Sequence, residues 1–165
     1  MKAVLALGGN LGDRFATLQG GLDALAGTPG LEVTAVSPVY ETDPVGGPEQ
    51  GPYLNAVVVA ETSLTPRELL ARAQEVEHAF GRVRTERWGA RTLDVDLVAV
   101  GEVVSDDPEL TLPHPRAHER AFVLVPWVQA DPEAVLAGRP VAELLGGLDK
   151  TGVRLRTDLV LREPA

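Results

Sequence analysis

The sequence predicts an α+β fold, a ferredoxin-like β-α-β-β-α-β sandwich with a C-terminal extension. Three observations carry that expectation. Apolar residues recur at alternate positions or in short valine-rich runs in four segments, and at helical spacing in two others, in the order strand, helix, strand, strand, helix, strand. One helical segment ends at a glycine and the other opens on a Thr-Pro-x-Glu box. The 165 residues, 44% of them apolar and 24% charged, suit one domain over residues 1–165 with a proper core.

Each element follows from its residues. Lys2 to Leu7 reads as a buried first strand, and Gly8-Gly9-Asn10-Leu11-Gly12 as a turn. Phe15, Leu18, Leu22 and Leu25 recur at helical spacing until Gly27. Leu31 to Tyr40 reads as the second strand, Asp43 to Pro52 as a Gly- and Pro-rich loop, and Tyr53 to Ala60 as the third strand. Thr65-Pro66-Arg67-Glu68 opens the second helix, whose stripe is Leu69, Leu70, Ala73, Val76 and Phe80, with Gly81 as its stop. Leu93 to Val100 is the fourth strand, and two helices are placed behind that core. The pattern predicts them at Ala117 to Val128, with a break at Pro126, and at Pro140 to Leu145. Alternation from Val153 to Leu161 predicts a last half-buried strand.

Composition narrows the function. The chain has no cysteine, which excludes disulfides and thiolate metal sites and fits a reducing compartment. The apolar run Ala3 to Leu7 is too short for a membrane span, so a cytoplasmic protein that does not act at a membrane is expected. The net charge of −9 argues against a nucleic-acid partner. Yet Arg82, Arg84, Arg87 and Arg91 crowd one segment, with Arg116 and Arg120 further on. A local arginine cluster on an acidic chain suits a small polyanion such as a nucleotide.

Asp94 and Asp96 flank Val95 on the fourth strand. Alternate strand residues share a face, so the two carboxylates point the same way, roughly 6–7 Å apart. Such a pair fits Mg²⁺, which takes one or two carboxylates and completes its shell with water and phosphate oxygens. A bare Asp-x-Asp also fits an acidic solvent face. The arginines just upstream, in RVRTERWGARTLDVD, favour phosphate chemistry, because guanidiniums match phosphate geometry and stay charged. Trp88 offers a flat apolar surface for a ring or for anchoring the segment. There is no P-loop motif, and GGNLGD is a poor dinucleotide fingerprint.

The run from Arg87 to Val98, RWGARTLDVDLV, closely resembles the signature of the 6-hydroxymethyl-7,8-dihydropterin pyrophosphokinase family. Further blocks agree: Gly8 to Gly12, Tyr40 to Pro44, Tyr53 to Ala56, Gly81 to Arg84, Pro113 to Arg116 and Glu119 to Leu124. The resemblance covers residues 3 to about 130. It implies transfer of pyrophosphate from Mg·ATP to the pterin hydroxymethyl group in folate biosynthesis, by a monomer that binds Mg·ATP first. It implies Asp94 and Asp96 as ligands of two Mg²⁺ ions, and Arg82, Arg91 and Asp96 as catalytic. It implies ATP contacts from Gln74, Glu77, Arg82, Arg84, Arg87, Trp88, Arg91, Val98, Thr111, His114 and Arg120. The pterin would meet Thr42, Val45, Tyr53, Asn55, Trp88 and Phe122. Asn55 suits a pterin edge because an amide both donates and accepts. Arg120 and Phe122, two apart on a helix, are expected on different faces, one for phosphate and one for a ring.

The chain departs from the family's usual serine at position 9, here Gly9, and its usual proline at 43, here Asp43, which puts the stiffness of that loop in doubt. No histidine base is evident beside the aspartates, so Asp96 is expected to take the hydroxyl proton. The rival readings are a Mg²⁺-dependent nucleotide hydrolase or nucleotidyltransferase, and a non-catalytic ferredoxin-like ligand-sensing module.

Overall fold

The computed structural model describes residues 1–9, 13–43, 52–80 and 93–162. Strand β1 (Lys2–Gly9) leads to helix α1 (Arg14–Ala26), capped by the Asp13 carboxylate on the Ala16 N–H and closed at Gly27. β2 (Leu31–Val36), β3 (Tyr40–Thr42) and β4 (Tyr53–Thr62) follow, then α2 (Pro66–Ala79) and β5 (Asp94–Val100). A hairpin of β6 (Ser105–Asp107) and β7 (Leu110–Leu112) precedes a 3₁₀ turn (Ala117–Glu119) and α3 (Ala121–Ala130). The chain then forms β8 (Val135–Leu136), β9 (Arg139–Pro140), α4 (Val141–Leu145) and β10 (Val153–Leu155). No helix among the described residues is long and apolar enough to cross a membrane.

The main sheet runs β10-β3-β4-β1-β5, with β2 also on β4, and every pairing is antiparallel. The two expected helices cover one face. Leu18, Leu22 and Leu25 of α1 and Leu69 and Ala73 of α2 pack there on Leu5, Leu7, Leu54, Val58 and Leu93. The other face is covered as well: Leu124 and Trp127 of α3 and Val141 of α4 lie on Val4, Val57, Val59 and Val98. The run Ala56 to Ala60 is apolar at every position and buried on both sides, which a sheet covered on one face does not need.

Three expectations shift. The strand Leu31 to Tyr40 is two strands, because Ser37 and Pro38 interrupt it. Pro38 has no N–H to give the ladder, and the Ser37 hydroxyl accepts the Val57 N–H at 2.8 Å instead. The Pro126 break does not occur; α3 runs through it. The last strand stops at Leu155, since its neighbour β3 has only three residues to pair with. Beyond it, Leu159 and Leu161 pack on the α1 side of the core without a ladder.

The Thr65–Glu68 capping box of α2 forms in both directions. The helix ends at Ala79 with Phe80 as its cap, and Gly81 lies outside the described residues. From α2 the buried Glu77 carboxylate accepts the Val95 N–H of β5 at 2.8 Å. Val95 sits between Asp94 and Asp96, on a strand that among the described residues pairs with β1 alone. Glu77 thus occupies the place of a missing strand neighbour. Glu77→Ala should lower the unfolding free energy by about 1–3 kcal/mol, the cost of an unpaired buried donor. Glu77→Gln keeps an acceptor and should cost less; denaturant titration of both variants checks the order.

Candidate active site

Antiparallel register sets the floor of the site. Tyr40 pairs with Asn55, Asn55 with Gly8, and Gly8 with Asp94. Directly opposed residues share a face, so this row places the Asn55 amide and the Asp94 carboxylate on the α3 side with Gly8 between them. Gly8 must be bare: a Cβ there would lie 2.7 Å from Asn55 Oδ1. In the flanking rows, Asp96 opposes Ala6 and Tyr53 opposes Thr42. Asn55 is itself held, its Nδ2 donating to Thr42 Oγ1 at 2.5 Å.

Over this floor lies a cleft of about 760 Å³. Asp94, Asp96, Asn55, Thr42, Tyr53, Arg120 and Phe122 all line it, as expected of them from the sequence. Gly8, Asp43, Arg116, Glu119, Asp149, Thr151, Gly152 and Val153 also line it and were not singled out for it. For Gly8 a signal existed, since a glycine at a strand end marks a close approach. For residues 149–153 there was none, because only the β10–β3 pairing brings them to the site.

Other expected residues lie elsewhere. Gln74 is exposed on α2, and Thr111 sits in the β6–β7 hairpin with its hydroxyl on the Asp107 carbonyl. Neither lines the cleft among the described residues. The Val98 side chain is core, under α3, while its carbonyl accepts the His114 N–H at 2.8 Å. Glu77 is occupied by Val95, as described. Its position was legible: Ala73, Val76, Glu77 and Phe80 share one stripe of α2, so a carboxylate stood on the apolar face. Val45, Arg82, Arg84, Arg87, Trp88 and Arg91 lie outside the described residues.

Arg120 and Phe122 are not separated as the helical spacing predicts. Arg120 is the N-cap of α3, with extended backbone, and its guanidinium lies over the Phe122 ring, 5.5 Å from the centroid. The two form one cation–ring unit at the rim. His114 is also closer to the acidic pair than the sequence suggested. Burial holds its imidazole below the usual 6.5; the Asp96 charge opposes that, and Arg120 and Arg116 add to it. Its Nδ1 accepts the Arg116 N–H at 3.2 Å, so the neutral ring carries its proton on Nε2 and can donate.

The donor set tests a metal. Among the described residues no three His, Cys, Asp or Glu side chains gather to hold an ion. Two carboxylates on one strand face, at the floor of a cleft with room for phosphate and water, fit Mg²⁺.

The comparisons agree on one family. Residues 4–132 match the family described as 7,8-dihydro-6-hydroxymethylpterin-pyrophosphokinase (HPPK). A 2-amino-4-hydroxy-6-hydroxymethyldihydropteridine pyrophosphokinase of Mycobacterium tuberculosis is 51% identical over 171 residues, covering 93% of this chain and 89% of that protein. That of Methylorubrum extorquens is 45% identical, covering 92% of this chain and 96% of that protein. Among solved structures, Plasmodium falciparum HPPK-DHPS wild type with pterin and p-hydroxybenzoate matches with a TM-score of 0.66 at 14% identity. That match covers 88% of this chain but 42% of the other, so this chain spans less than half of that protein's length, and the likeness is one of fold.

A His whose folded pKa is depressed binds fewer protons folded than unfolded. Its contribution to stability is present above about pH 6.5 and is lost as pH falls through the folded pKa. NMR titration should place His114 below 6.5, and His114→Gln should flatten that part of the stability profile.

Proposed function

Because this chain belongs to the 7,8-dihydro-6-hydroxymethylpterin-pyrophosphokinase family, we infer that it transfers pyrophosphate to 6-hydroxymethyl-7,8-dihydropterin in folate biosynthesis, with Mg·ATP as the donor. The pyrophosphokinase activity rests on the family match and on relatives at 45–51% identity. The single structural observation that supports the donor and acceptor assignment is the row Asn55–Gly8–Asp94, an amide for a heterocycle edge beside a carboxylate for a metal. We read the core order β5-β1-β4-β2 as ferredoxin-like, elaborated by β3, β10 and the α3–α4 layer.

In the reaction the pterin hydroxymethyl oxygen attacks the β-phosphorus of ATP in line. The bond from that phosphorus to the bridging oxygen of AMP breaks, and AMP leaves with the electron pair. The hydroxyl proton passes to Asp96, at the floor of the cleft. Asp94 and Asp96 would hold two Mg²⁺ ions, which would neutralise phosphate charge and acidify the hydroxyl. Positioning carries most of the rate, since the protein has little covalent chemistry to do.

Asn55 and Thr42 read the pterin edge, and Tyr53 and Phe122 flank its ring. Phe122 is available to the ring only on the face that Arg120 leaves open. His114 donates from Nε2 to a phosphate oxygen beside Asp96. Arg82 and Arg91 steady the transferring group, with Arg84, Arg87 and Trp88 assisting, on the strength of the sequence run that they share with the family. Val45 joins the acceptor side on the same ground. The family resemblance implies a monomer.

Incubation with ATP, Mg²⁺ and the reduced hydroxymethylpterin should yield AMP and pterin diphosphate in equal amounts. Accumulation of ADP or of free pyrophosphate would overturn the reading in favour of a γ-phosphoryl kinase or a hydrolase. Asp94→Ala and Asp96→Ala should each lower kcat by orders of magnitude while the thermal melt stays normal. Gly8→Ala pushes a methyl against Asn55 Oδ1, and β1 cannot yield because strands hold it on both sides. Its Asn55 amide must swing aside. The pterin KM should rise roughly tenfold, the cost of about one misplaced hydrogen bond, with the ATP KM unchanged in the same assay.

A further inference from the structure

We propose that the C-terminal strand β10, outside the matched residues 4–132, is the outer wall of the acceptor end of the cleft. We further propose that three arginines converging on Glu41 behind the sheet act as positioning residues for Thr42 and Asn55. This rests on the reading of Thr42 and Asn55 as the acceptor-facing pair.

Val153 pairs with Thr42 and so shares its face, and both line the cleft. The carbonyl of the next wall residue, Gly152, accepts the Asp43 N–H at 3.0 Å. A proline at 43 could not make that bond. The Asp43 carboxylate takes Arg154 at 3.0 Å. Asp43 is therefore tied to Gly152 and to Arg154 of β10.

The second half of the device lies on the opposite face. Glu41 follows the strand alternation away from the cleft, towards α1. Its carboxylate meets Arg14 of α1 at 3.3 Å, Arg154 at 3.4 Å and Arg156 at 2.9 Å. Arg14 also donates to the Pro52 carbonyl at 2.8 Å, so it grips β3 and the approach to β4 together. Arg156 further anchors through its N–H to the Val39 carbonyl at 2.9 Å. Three cations on one half-buried carboxylate fix β3 from α1 and from β10. β3 carries Thr42, and Thr42 Oγ1 fixes the Asn55 amide.

Exposed ion pairs add little to global stability. A network of them can still set a strand's position to the fraction of an ångström that a hydrogen-bonding edge needs. Its signature is salt sensitivity in the binding of an uncharged acceptor.

The test uses the full chain with saturating Mg·ATP and 6-hydroxymethyl-7,8-dihydropterin as the varied substrate. Arg154→Ala/Arg156→Ala should raise the pterin KM roughly threefold to tenfold, as expected from losing two members of a network, with kcat and the ATP KM unchanged. Wild-type pterin KM should rise with added NaCl and that of the double variant should be flat. Pterin binding in the presence of Mg²⁺ and a non-hydrolysable ATP analogue, followed by fluorescence, should show the same pattern. Val153→Trp leaves the ion cluster intact and should weaken pterin binding by filling the wall. If the double variant does not fold, Arg154→Ala alone is read in the same way. An unchanged pterin KM and Kd in the folded arginine variants overturns the positioning role, and unchanged binding in Val153→Trp overturns the wall. A wild-type chain that turns over no pterin sinks the proposed function instead, so the two failures are distinct.

Discussion

The antiparallel register of β4 on β1 and of β1 on β5 is the constraint on which the rest depends. Each strand end alone carries an unremarkable residue: an asparagine, a glycine, an aspartate. The ladder makes them neighbours by pairing Asn55 with Gly8 and Gly8 with Asp94. A shift of one residue in either pairing would send one partner to the α1 face, because the side-chain period is two. Leu5, Leu7, Leu93, Val95 and Leu97 would then lose their burial. The core therefore guards the register, and the register holds the site.

The same alternation explains why an acidic pair can sit on a strand that is mostly core. Leu93, just before β5, and Val95 and Leu97 on it face α1 and α2, while Asp94, Asp96 and Val98 face the α3 side. α3 covers Val98 and begins at Ala121, so its first turn stands at the edge of the cleft and leaves the aspartates open. The start of α3 thus divides that face into core and site. Arg120 caps the helix from extended backbone and lays its guanidinium over Phe122. It lines the same cleft as the two aspartates.

Much of this was legible. Period-two and helical patterning gave β1, α1, β4, α2 and β5, and the capping box at Thr65 formed as read. The aspartate pair, Asn55, Thr42, Tyr53, Arg120 and Phe122 reach one cleft as the sequence suggested. What was not legible has physical causes. Alternation from Val153 to Leu161 marks burial against two surroundings, first β3 and then the α1 core, and a pattern cannot tell a ladder from a packed irregular chain. The helices at Ala117 to Val128 and Pro140 to Leu145 were legible, but not that they cover the second face of the sheet, because all-apolar Ala56 to Ala60 reads as strand however many faces are covered. The resemblance implies Glu77 as a nucleotide contact, whereas its place on the apolar stripe of α2 turns its carboxylate inward to the Val95 N–H. Helical geometry misled at Arg120 because the cap residue is not helical.

β5, which ends the main sheet among the described residues and carries the aspartate pair, has two opposing needs. Its outward N–H and C=O groups must be satisfied, while Asp94 and Asp96 still line the cleft. Glu77 resolves this at Val95 with a side chain, and His114 does so at Val98 by donating its backbone N–H to the carbonyl. Glu77 lies on α2 and His114 in the connection after β7, so the strand is held at Val95 and Val98 from outside the sheet while Asp94 and Asp96 line the cleft. The far end of the sheet solves the reverse problem. There the edge, β3, is only three residues long and could not hold a fixed amide partner alone. It gains a whole strand, β10, and a carboxylate hub with three arginines. One end of the sheet is held by single hydrogen bonds from outside it, and the other is thickened by a strand and an ion cluster.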